Sequence, residues 1–165
     1  MKNLALTAAL IASTTLAQST PAPVQLAGSP TVQVATLSLK TASALALRTV
    51  ENCAAAGYNV TATVVDRSGV TLAVARAENA GPHTVDASLR KAYTSASARN
   101  LTSEMAKNLA TTPALADIPG YLLLAGGVPV RVGNAVVGAI GVGGAPSGMI
   151  DEKCATDAIK TVLGG

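Results

Sequence analysis

The chain has 165 residues, 49% of them hydrophobic and only 13% charged, with Phe 0, Trp 0 and Tyr 3. That is one domain's worth of sequence, with a core of Ala, Val, Leu and Ile, and it excludes a multidomain machine. The missing aromatic rings and a formal net charge of only +3 also argue against nucleic acid as a partner, because base stacking and counterion release both lack their residues.

Met1 to Asn3 form a short charged start, Leu4 to Ile11 an apolar stretch and Thr15-Leu16-Ala17 a small-x-small cleavage site. This is the pattern of a secretory signal peptide over residues 1–17. The apolar run is short of the roughly 20 residues that a bilayer-crossing helix needs. No membrane span is therefore expected after cleavage, and the mature protein is expected to be exported, to the periplasm or the medium. Residues 18–36, with Pro21, Pro23, Gly28 and Pro30 and no sustained period, read as a linker. Residues 37–165 form the domain.

Within it, Ser38 caps a helix whose apolar stripe Ala42, Leu45, Ala46, Thr49, Val50 and Cys53 ends at Gly57. From Tyr58 to Val65, Val60, Ala62 and Val64 alternate with Asn59, Thr61 and Thr63, the period of a strand with one covered face. Asp66-Arg67-Ser68-Gly69 supplies a turn, and Val70 to Ala77 returns as the second strand of a hairpin. After a loop ending in His83, Thr84 is expected to cap a second helix that packs through Val85, Leu89, Ala92, Tyr93 and Ala96. A shorter helix follows at about Thr102 to Ala110.

The second half reads as three strands, Tyr121–Ala125, Pro129–Val132 and Ala135–Val142. The last two are joined by Gly133-Asn134, residues that accept the positive φ of a tight turn. A closing helix runs from about Asp151 to Val162. The short connections between strands are hairpins, so the expected fold is α+β, a largely antiparallel five-stranded sheet with helices on its faces.

His83 is the single histidine. Neither C-x-x-C nor H-x-x-x-H occurs, so no zinc site is expected. No G-x-S-x-G elbow appears, since Gly144-Ala145-Pro146-Ser147-Gly148 fails that pattern. Gly141-Val142-Gly143-Gly144 carries Pro146 where a dinucleotide-binding motif needs its last Gly. Export would put the cysteines in an oxidising compartment, where a disulfide between Cys53 and Cys154 is expected over two buried free thiols.

Several segments in order, Val64-Val65-Asp66-Arg67-Ser68-Gly69, Arg76, Ala80-Gly81-Pro82-His83-Thr84, Arg90-Lys91-Ala92-Tyr93-Thr94, Gly126-Gly127-Val128-Pro129-Val130 and Val137 to Gly144, resemble the GlcG/HbpS family. That family covers the glycolate-utilisation protein G and extracellular haem-binding sensor proteins. The resemblance implies a profilin-like antiparallel sheet with helices on both faces, assembled into homo-oligomers. It also implies an exported protein that binds haem or a related tetrapyrrole, for sensing or sequestration.

A haem pocket needs apolar walls, an iron ligand and cations for the propionates, and the stretch from Arg76 to Tyr93 offers that set. His83 is the candidate iron ligand, Thr84 a further oxygen ligand, and Lys91 and Arg76 the candidate cations. The same residues admit other readings. His83 either ligates iron, or caps its helix or meets a neighbouring subunit. Acid–base work by His83 on a small metabolite and a ligand-free oligomeric interaction protein are the alternative functions.

Overall fold

The computed structural model describes residues 23–164. The expected signal peptide, 1–17, and the start of the linker lie outside the described residues. Residues 23–33 contain no helix or strand, and all regular elements belong to the unit beginning at Val34.

Helix α1, Leu39–Ala55, starts where Ser38 accepts the Thr41 amide and ends before Gly57, whose φ of 88° suits a residue without Cβ. Its buried residues are Ala42, Leu45, Ala46, Thr49 and Cys53, the stripe read from the sequence except for Val50, which is half-buried against the core. Strands β1, Thr61–Asp66, and β2, Thr71–Arg76, form the hairpin. The Asp66 carboxylate closes its turn by accepting the amides of Ser68 at 2.7 Å and Val70 at 2.9 Å. Helix α2 spans His83–Ala98 and helix α3 Thr102–Lys107; short 3₁₀ turns follow at Asn108–Ala110 and Pro113–Asp117. Strands β3, Gly127–Val132, and β4, Ala135–Gly143, turn at Gly133-Asn134, and helix α4, Gly148–Leu163, closes the chain.

The sheet has four strands, all antiparallel, in the order β2-β1-β4-β3. The expected fifth strand, Tyr121–Ala125, is not one. Its backbone groups bond to side chains instead, the Leu122 amide to Thr94 Oγ1 at 2.8 Å and the Leu124 carbonyl to Thr102 Oγ1 at 2.6 Å. A segment satisfied by α2 and α3 has no need of a sheet edge.

Helices cover both faces. Val60, just before β1, and Ala62 and Val64 of β1 join Leu45, Ala46, Ile140, Val142 and Ala155 in the main core under α1 and α4. Cys53 of α1 and Cys154 of α4 are joined by a disulfide, their Cα atoms 5.5 Å apart.

The other face differs from the expectation of a single covered side. Thr61 and Thr63 are buried under α2, and their hydroxyls share 2.7 Å hydrogen bonds with Thr84 and Ser88. The buried face of α2 is Thr84, Ser88, Lys91, Ala92, Thr94, Ser95 and Ala96. Val85, Leu89 and Tyr93, expected to pack inward, are 42%, 37% and 37% exposed. Close approach decides this: a Cβ on Gly141 of β4 would collide with the Ser88 carbonyl and the Ala92 amide, so only small side chains fit between α2 and the sheet.

Candidate functional site

A cleft of about 470 Å³ opens where the first two turns of α2 face the start of α4. His83, Thr84, Ala87 and Lys91 line it from α2, Gly143 from the end of β4, Gly144, Ala145 and Ser147 from the loop that follows, Met149 and Asp151 from α4, and Leu124 and Ala125 from the irregular segment. The volume falls in the range of small-molecule sites.

An ion pair sits in its wall. Lys91 is 5% exposed and Asp151 2%, and Lys91 Nζ donates to Asp151 Oδ2 at 2.9 Å and to the Val142 carbonyl at 2.8 Å. Asp151 Oδ1 accepts the Ala145 amide at 3.1 Å. Burial pushes the Asp151 carboxyl above the usual carboxylate range, against the opposing pull of the Lys91 ammonium and the Ala145 amide. Gly126, with φ of 119°, allows this packing, because a Cβ there would lie 2.9 Å from both Lys91 Nζ and Asp151 Cβ.

The four residues singled out from the sequence occupy different situations. His83 is exposed at the N-terminus of α2, on the cleft rim. Thr84 is buried one residue into the helix rather than capping it, and its hydroxyl donates to the Gly81 carbonyl at 2.6 Å. Lys91 reaches the cleft already bonded to Asp151. Arg76 lies at the end of β2, where its guanidinium donates to the Ala80 carbonyl, and it is not among the cleft-lining residues. The structure thus gathers His83, Thr84 and Lys91 and leaves Arg76 aside.

Sequence reasoning missed Asp151 and Met149. Asp151 follows the Ser147 cap of α4, where acidic residues commonly complement the helix dipole, and nothing in the spacing links it to Lys91, 60 positions away. Met149 is 58% exposed at the second position of α4, and the only signal in the sequence is its place directly after the glycine-rich stretch Gly143 to Gly148.

The family described as haem degrading protein, HbpS-like, matches residues 37–160. The chain belongs to this family. Among solved structures, the HbpS-like chain is similar to a double mutant of HbpS from Streptomyces reticuli, with 46% identity and a TM-score of 0.79 over 89% of this chain and 100% of that one. It is also similar to Klebsiella pneumoniae protein ORFY, with 28% identity and a TM-score of 0.72 over 80% of this chain and 96% of that one. A protein crystallised as the PduOC:heme complex shares the fold at 20% identity and a TM-score of 0.68, over 75% of this chain and 93% of that one. An uncharacterised 15.0 kDa protein from the dhaT-dhaS intergenic region of Citrobacter freundii is 31% identical over 117 residues, covering 68% of this chain and 82% of that protein.

Proposed function

We propose that this HbpS-like protein is an exported haem-binding protein that takes the tetrapyrrole in the cleft between the starts of α2 and α4. The observation that carries the reading is the exposed imidazole of His83 on the rim of a cleft whose wall sets the apolar side chains of Ala87, Leu124, Ala125, Ala145 and Met149 beside the mutually paired Lys91 and Asp151. Imidazole and thioether are both ligands that haem iron accepts, so the donor set fits the group. His83 would hold the iron, Met149 is the second candidate ligand, and the aliphatic side chains would meet the ring. The positive end of α4, beside Ser147 and Gly148, favours a propionate. Bound haem would bring a redox-active iron to the site.

Family membership and the sharing of this fold with the PduOC:heme complex support the same reading. Lys91 and Thr84 have a different role in it. Their polar atoms are engaged inside the fold, so they shape the cleft wall and leave contact with haem to the rim residues. That engagement also weakens the case for acid–base catalysis by His83 with Lys91.

Export is supported by the charged start, apolar run and small-x-small site of residues 1–17, and by a disulfide of the kind that persists in oxidising compartments. Mass spectrometry of protein recovered from the periplasm or medium is expected to find a mature N-terminus at Gln18.

Hemin titration followed in the Soret region tests the binding. A saturable shift is expected, weakened about tenfold or more by His83→Ala and less by Met149→Leu, with Arg76→Gln unchanged. A wild-type protein that gives no saturable shift would contradict haem binding. An unchanged His83→Ala titration would remove His83 from the site.

A further inference from the structure

Arg67, Arg99 and Arg131 line a second cavity of about 370 Å³ with Asn134, Ala135 and Val136. Arg67 comes from the β1–β2 turn, Arg99 from the end of α2, Arg131 from β3 and Asn134 from the β3–β4 turn. The 16 residues of α2 rise about 24 Å, so this cavity and the His83 cleft lie at opposite ends of that helix.

Three cations gathered in one concavity repel one another unless an anion joins them. No ion pair among the described residues includes any of the three. The nearest carboxylate in sequence, Asp66, is engaged by the Ser68 and Val70 amides. Helix capping accounts for only part of the cluster. Arg131 donates one N–H to the Arg99 carbonyl at 2.8 Å, which serves the C-terminal end of α2, where Arg99 takes a left-handed φ of 56°. The rest of the Arg131 fork and the whole guanidiniums of Arg67 and Arg99 make no hydrogen bond to the described chain. The β3–β4 register shifts between Val130 and Arg131, and irregularities of this kind re-aim a side chain.

We propose that this cavity binds a small, multiply charged oxyanion of the phosphate class. Guanidinium forks match tetrahedral oxyanions with paired N–H donors, the Asn134 amide offers a further donor, and the cavity is large enough to admit a phosphate or pyrophosphate group.

The test is calorimetric titration of the purified protein with inorganic pyrophosphate and inorganic phosphate at constant ionic strength, with mass measured by light scattering on the same samples. Saturable binding is expected, tighter for pyrophosphate, weakened about tenfold by Arg67→Gln and by Arg99→Gln and unchanged by Lys160→Gln. Arg67 makes no hydrogen bond within the described fold, so its variant reports the site without disturbing α2; Arg131→Gln would mix the two effects. Absence of saturable binding overturns the proposal, as does binding that survives Arg67→Gln and Arg99→Gln together. A variant that changes the oligomeric mass while the wild type ignores both anions also overturns it, and would assign the arginines to contacts between copies.

Discussion

At the scale of single residues, the buried Lys91–Asp151 pair governs the shape of the cleft. Removing the cation strands a buried carboxylate, so Lys91→Met is expected to cost about 3–5 kcal/mol in urea denaturation, and Asp151→Asn, which mimics the neutral carboxyl that burial favours, to cost less. The double variant Lys91→Met/Asp151→Leu should recover much of that loss, since an apolar pair leaves no buried charge behind; a double variant as unstable as the sum of the singles would contradict this. Two carboxyls on α4 should titrate on opposite sides of the usual range. Burial raises Asp151, whereas the Lys153 hydrogen bond, with help from Lys160, lowers Asp157. Because folded Asp151 holds its proton to a higher pH than the unfolded chain does, its stabilising contribution is full below the unfolded value and is lost as pH rises through the folded one. Asp157 has the reverse sign, contributing above the unfolded value and losing that contribution as pH falls through the folded one. Carbon-detected NMR titration of the two side chains checks this, and coincident midpoints would refute it. None of this was legible in the sequence. Lys91 reads from the sequence as a cation for a propionate, and its partner 60 positions away carries no local signal.

At the scale of elements, α1 was legible in full because its cap, its stripe and its terminating Gly57 agree with one another. Helix α2 was legible in position but not in orientation. The apolar periodicity of Val85, Leu89 and Tyr93 points one way, while the sheet face is claimed by Thr84, Ser88 and Ala92, whose small size lets the helix sit against the glycines of β4. Hydrophobicity favours the first face and steric fit the second, and steric fit wins because Gly141 leaves no room for anything larger. Gly141→Ala is therefore expected to destabilise the fold by about 1–3 kcal/mol, whereas Gly133→Ala, with nothing within 4 Å of its added Cβ, should cost less despite its positive φ. Equal losses in thermal or urea melts would contradict the close-approach account. Tyr121–Ala125 was misread for a related reason, since strand-like composition cannot reveal hydroxyls on distant helices that take over its backbone bonds. The disulfide between α1 and α4 closes a separation of 101 residues, and Cys53→Ser with Cys154→Ser is expected to cost about 2–4 kcal/mol.

For the whole molecule, the exposed stripe of Val85, Leu89 and Tyr93 along α2 is the apolar surface that an assembly of identical copies would bury. We therefore expect a homo-oligomer that Leu89→Glu drives toward monomers in light scattering. An unchanged mass for that variant would move the contact elsewhere. The antiparallel α+β architecture and most of its elements were legible in the sequence. The fifth strand was not there to find, and the cleft became visible only when α2, the loop after β4 and α4 were brought together. The central claim, that haem occupies this cleft with His83 at the iron, is tested most directly by adding ferric hemin to nitrogen-labelled protein and mapping the paramagnetic broadening of backbone amides. Broadening should centre on His83, Leu124, Ala145 and Met149 and leave Arg67, Arg99 and Asn134 at the far end of α2 sharp; broadening centred anywhere else, or none at all, would contradict it.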